Sequence, residues 1–373
     1  MHSNEGTSLS LLESLLSNCV ISRASDIHLT CMEYPVFRVD GELVSNTQLS
    51  IMTPELLEQI LEELLSDEQR IRLEAQRSLD MGYSSKAGKR FRINVYFQRG
   101  RVAMAFRFLD DTFYSLEELR LPKQIRMFTQ LKDGLVLVTG ATGSGKSTTI
   151  ASLMNEINQQ RACHILTIED PIEFLYTNET AMVHQREIGS DVVSFSQAIR
   201  AALREDPDVI LLGEMRDTDT IRSALMAAET GHLVFSTLHS NDAVGVIDRL
   251  VGAFPGEEQD GIRQQLSLVL RGIVTQQLVK LNADIGRLPV NEVLIIDTAV
   301  ANLIRLHKPE QIRSSMETGR AQGNQTLEMA LVECVKQRFI TKDQALQLTH
   351  RKLVLEQLFQ TMLGDNSRHQ VQL

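Results

Sequence analysis

One nonapeptide, GATGSGKST at Gly140–Thr148, constrains the fold more than any other stretch of the chain. It follows the apolar run GLVLVTG and precedes residues with helical spacing, so the chain must turn sharply there from a strand into a helix. The residues Gly140, Ala141, Thr142, Gly143, Ser144, Gly145, Lys146, Ser147 and Thr148 satisfy the pattern G-x-x-x-x-G-K-[ST] at every fixed position. Glycine permits the tight turn and lets backbone N–H groups approach phosphate oxygens. A helix starting near Gly145 adds its positive end. Lys146 is then expected to reach the β- and γ-phosphates of ATP, and the Ser147 hydroxyl to bind Mg²⁺. An ordinary glycine-rich turn is the plainer alternative, but it does not call for the flanking strand and helix.

Three more short apolar runs, HILTIED, DVILLGE and HLVFSTLH, alternate with helical stretches from about Leu116 onward. This order predicts an α/β domain with a mostly parallel sheet covered on both faces, and ligands at the carboxyl ends of its strands. Glu169 and Asp170 close one strand before Pro171, with Glu173 after it; a capped Asp-Pro turn is the alternative reading. Glu214 follows Gly213 at the end of another, where many nucleotide hydrolases place a Mg²⁺-holding Asp. A glutamate there can orient or deprotonate the attacking water; the alternative is a salt bridge to Arg216 or Arg222. His232 and His239 bracket LVFSTL. His239, at the carboxyl end, suits a γ-phosphate sensor, and His232 is weaker by geometry. After Pro255 the pattern reads as largely helical.

The first hundred residues read differently. Leu9, Leu12 and Leu16, with Leu11 and Leu15, form a helical stripe, Asp40-Gly41 marks a hairpin, and Thr53-Pro54 opens a helix. In RFRINVYF and VAMAFRF apolar residues alternate with others, which predicts two strands of a small α+β domain whose second face carries Arg90, Arg92 and Arg107. These arginines are either solvated or one of them is an arginine finger, which requires domains or subunits to close over the nucleotide. The polar DDTFYSLEEL is the expected linker, so the boundaries are 1–112 and 113–373.

The chain has 373 residues and a net charge of −10, a balance that argues against a nucleic-acid surface. Its 4 cysteines are scattered without metal-ligand or redox spacing, which points to free thiols in a reducing compartment. No apolar run reaches a membrane span, and MHSNEGTS lacks the features of a signal peptide. A cytoplasmic protein is expected, with contact to a membrane protein left open.

Taken in order, ASDIHL, RFRINVYF, LVTGATGSGKSTT, HILTIEDPIEF, ALREDPDVILLGEMRD and AAETGHLVFSTLH closely resemble the PilT-like retraction ATPases of bacterial type IV pili, within the wider secretion ATPases. The resemblance runs from about residue 10 to 350. It implies a homohexamer of subunits, each with a PAS-like N-terminal and a RecA-like C-terminal domain, ATP lying between the two. It implies peripheral work at the inner membrane through a platform protein, so that pilins leave the fibre base; a second pilus ATPase is a further expected partner. It makes Glu214 the catalytic glutamate, Glu169 a metal or water ligand, His232 and His239 a histidine pair, and Arg90, Arg92 and Arg107 the arginine candidates. The extension and type II secretion branches carry a longer N-terminal region and usually a four-cysteine zinc motif, which favours the retraction branch here. One departure is SSMETGR, where the retraction branch has two glycines and this chain has Gly319 and Arg320. If Arg320 occupied a left-handed turn it would be strained. An accessory retraction ATPase, a secretion-system ATPase and a nucleotide-gated scaffold with little turnover are the alternative readings.

Overall fold

The computed structural model describes residues 10–110, 112–282 and 286–364. They fall into two compact units, Met1–Thr112 with Asp170–Leu175, and Phe113–Glu169 with Tyr176–Leu373. The segment Asp170–Leu175, which follows the strand HILTIE, clusters with the first unit.

The first unit contains α1 (Leu11–Ile21), β1 (Asp26–Thr30), β2 (Val36–Val39), β3 (Glu42–Ser45), α2 (Pro54–Leu64), α3 (Asp67–Gln76), β4 (Ser78–Ser84), β5 (Arg90–Gln98) and β6 (Arg101–Leu109). Its sheet runs β3-β2-β1-β6-β5-β4 and is antiparallel throughout. Leu12, Leu15 and Leu16 of the expected stripe are buried, while Leu9 lies outside the described residues. Asp40 and Gly41 both take positive φ, as a two-residue hairpin between twisted strands requires. Thr53 caps α2, accepting from the Leu56 amide, with Pro54 in the first helical turn. Phe91, Ile93 and Val95 are fully buried on one face of β5.

The second unit begins with a short 3-10 helix, Lys123–Gln130, and then adds β7 (Gly134–Thr139), α4 (Lys146–Gln160), β8 (His164–Glu169), β9 (Met182–Glu187), α5 (Phe195–Ala202), β10 (Val209–Leu212), α6 (Thr218–Glu229), β11 (Leu233–Leu238), α7 (Ala243–Gly252), α8 (Gly256–Val269), β12 (Leu270–Lys280), β13 (Arg287–Ile295), α9 (Thr298–Arg305), α10 (Pro309–Thr318), α11 (Leu327–Lys336), α12 (Lys342–Leu348) and α13 (Lys352–Gly364). The sheet order is β13-β12-β7-β11-β10-β8-β9, parallel except for β13. Every residue of β7, β8, β10 and β11 is buried. Alternate residues serve opposite cores: Leu135, Leu137, Ile210 and Leu212 pack with α5 to α10, whereas Val136, Val138, Val209 and Leu211 pack with α4. The sheet is therefore covered on both faces, as its unbroken apolar strands require.

The region after Pro255 is largely helical, as expected, but two strands within it, β12 and β13, extend the central sheet between α8 and α9. The polar centre of TQQ in β12 and Pro289 in β13 hid both strands, although an edge strand tolerates proline. Arg320 also carries no left-handed strain. It lies in the single 3-10 turn Gly319–Gln322, and Gly323, at φ +99, makes the left-handed step.

Candidate nucleotide site

The loop after β7 is shaped by close backbone packing. Gly140, Gly143 and Gly145 all take positive φ. A Cβ on Gly140 would sit 2.3 Å from the Gln276 carbonyl oxygen, and one on Gly145 would sit 2.8 Å from Gln276 Nε2. The backbone oxygen at Gly140 leaves no room for a Cβ, and at Gly145 the left-handed φ of +84° favours glycine. α4 starts at Lys146, with Ser147 in its first turn. The Lys146 Nζ is buried and donates to the carbonyls of Gly140 (3.0 Å) and Ala141 (2.9 Å), which folds the ammonium back over the loop.

The neighbouring strand ends carry the other candidates. Glu169 closes β8, is 9% exposed, and accepts from Thr167 Oγ1 at 2.6 Å and Gln185 Nε2 at 3.3 Å. Gly213 follows β10 and donates to the Ile168 carbonyl at 2.8 Å, while its own carbonyl accepts from Thr237 Oγ1 at 2.6 Å. These bonds pin the turn that presents Glu214. The Glu214 carboxylate pairs with Arg216 and lies 3.6 Å from His239 Nε2. Arg222, the other considered partner, goes to Glu258 at 2.5 Å. His239 also meets the Gly140 backbone, and Arg249 donates to its carbonyl. Burial holds the His239 imidazole below its usual pKa, helped by Lys146, Arg216 and Arg249. The nearby Glu214 would push the other way, but its charge is already paired by Arg216, so the cations prevail.

The structure thus brings Gly140–Thr148, Glu214 and His239 to one edge of the sheet, with Glu169 on the adjoining strand end. It does not bring the two histidines together. His232 precedes β11, at the amino end of the strand, and six residues of strand span roughly 20 Å. Its Nδ1 sits 2.9 Å from the Ala227 carbonyl and 3.1 Å from Thr230 Oγ1, a structural seat at the end of α6.

The arginines belong to the first unit, where they differ in burial and partners. Arg90 is 7% exposed and donates to Ser84 Oγ at 3.0 Å and the Ile172 carbonyl at 2.8 Å. Arg92 and Arg107 stand directly opposite in the β5–β6 register. Arg92 pairs with Asp80, and Arg107 with Asp26 at 3.0 Å while its side chain stays 67% exposed.

Sequence reasoning missed the buried polar side chains beneath the loop. Gln276 and Asn291, each 1% exposed, lie in β12 and β13. The available signal was TQQ inside an apolar strand, since polar groups covered on both faces need internal partners.

A glycine cradle that a Cβ would fill, a lysine folded over it, and carboxylates on adjacent parallel strand ends define a phosphate-loop site for a nucleoside triphosphate. The chain belongs to the family described as "Type II/IV secretion system protein", which matches residues 2–371. It is 42% identical over 322 residues to the type IV pilus retractation ATPase PilT of Pseudomonas aeruginosa, covering 86% of this chain and 93% of that one. The type IV pilus ATPase PilU of the same organism is 35% identical over 334 residues, covering 90% and 87%. A crystal structure of the pilus retraction motor PilT with bound ADP superposes at a TM-score of 0.86 and 42% identity, covering 94% of this chain and all of that one. The PilT-like resemblance therefore extends through the fold as well as the motifs.

Proposed function

We propose that the chain is a hexameric, Mg²⁺-dependent ATPase that drives type IV pilus retraction from the cytoplasmic face of the inner membrane through a platform protein. The observation that carries the reading is the meeting of Glu214 and His239 with the Gly140–Lys146 loop at one sheet edge. In this reading, loop amides and Lys146 hold the phosphates. Ser147 and Glu169 would hold Mg²⁺, which when bound neutralises phosphate charge. Glu214 orients the attacking water and accepts its proton. Arg216 restrains the Glu214 carboxylate until nucleotide arrives. His239, kept neutral, hydrogen-bonds toward the γ-phosphate. Arg92 or Arg107 then serves as a finger supplied across a subunit boundary of the ring.

Similarity to PilT at 42%, against 35% to PilU, supports the retraction motor over the accessory reading. No described helix is long and apolar enough to cross a membrane. Deletion of the gene is expected to leave cells with more surface pili and no twitching. Unchanged pilus number and motility would refute the retraction role.

A further inference from the structure

We infer that Gln276 is a positioning residue that sets the phosphate loop by orienting its Ser144–Gly145 peptide. The inference rests on the nucleotide reading above. Glycines make that loop pliable, so something outside it must hold its amides in place. Gln276 Nε2 donates to the Ser144 carbonyl at 2.7 Å. In a trans peptide the C=O and the following N–H point in opposite directions. Drawing the Ser144 oxygen toward β12 therefore turns the Gly145 N–H away from β12, toward the hollow of the loop.

The other end of the same side chain is fully used. Gln276 Oε1 accepts from Thr149 Oγ1 at 2.8 Å and from Asn291 Nδ2 at 2.9 Å. A carbonyl can only accept, so the Gln276 nitrogen must face Ser144 and the oxygen must face Thr149 and Asn291. One buried amide thereby ties the loop, the first turn of α4 and the β12–β13 pair into one network. Its backbone oxygen forms the floor under Gly140 as well.

A loop amide touches phosphate in the bound and reacting states alike. Losing its orientation weakens binding and raises KM while kcat stays level. Gln276→Met keeps the shape and removes the hydrogen bonds. Titration of the intact protein with ADP is expected to show about a tenfold weaker Kd, which is about 1.4 kcal/mol. ATP turnover is expected to show KM raised about tenfold and kcat within about threefold of wild type. Thr149→Val is expected to weaken ADP binding about threefold, and Thr149→Ser to restore it. If Gln276→Met does not fold, the Thr149 pair decides. Wild-type ADP affinity in both Gln276→Met and Thr149→Val would overturn the inference, as would a fall in kcat at constant KM. A wild-type protein that binds no ADP would overturn the nucleotide reading itself, and this inference with it.

Discussion

His239 shows how local charge fixes the state of a single residue. Burial, Lys146, Arg216 and Arg249 all oppose its protonation, so its pKa lies below the ordinary imidazole range. The unfolded chain takes up this proton first. Acidification from that range toward the lower folded value therefore costs the folded state, and no such cost remains above it. Turnover is expected to hold level at neutral pH and to fall on acidification below the ordinary imidazole range, and His239→Asn should flatten that acid limb. A pH–rate profile of both proteins checks this. The three arginines also separate at this scale. Arg90 is buried against a carbonyl, so Arg90→Ala should cost roughly 1.5–3 kcal/mol by chemical denaturation. Arg92 and Arg107 sit in partly exposed ion pairs, so their alanine variants should cost about 1 kcal/mol or less.

Glu292 makes the corresponding argument for whole elements. It is buried in β13 and accepts from the amides of Ala243 at 2.6 Å and Leu327 at 3.4 Å, the first residues of α7 and α11. Burial, with Asp242 beside it, pushes its carboxyl above the usual range. The folded state then holds this proton more tightly than the unfolded chain, so stability falls as pH rises through the window above the ordinary Glu value. Glu292→Gln keeps an acceptor without the charge and should hold or gain stability at neutral pH. Glu292→Leu orphans the buried Ala243 amide and should lose about 1–3 kcal/mol, read by denaturant titration. Elements like this were the hardest to read from residues alone. β7, β8, β10 and β11 were legible because strands covered on both faces must be apolar throughout. β9, β12 and β13 were not, because edge strands and polar-lined strands lose that signal: MVHQRE faces solvent at one edge, and TQQ spends its polarity on the loop. For the same reason Gln276 was invisible and the nonapeptide beside it was plain. Its glycines answer to local backbone rules, whereas Gln276 answers to a partner 132 residues away.

The molecule as a whole is a phosphate-loop unit followed and preceded by chain that the family match also covers. The residues of the candidate site converge at the carboxyl edge of one parallel sheet. The sequence already separated the two histidines by the end of the strand each flanks, and the structure places them at opposite edges of the sheet. Arg92→Ala and Arg107→Ala test the proposed ring: at least one should slow turnover of the assembled protein, by up to about 10³-fold for a true finger, with little change in stability. The most direct measurement compares ATP binding and hydrolysis in the assembled wild-type protein and in Glu214→Gln. The expected result is nucleotide affinity within about threefold of wild type and turnover reduced by about 10²–10⁴-fold. Wild-type turnover in that variant would contradict the account.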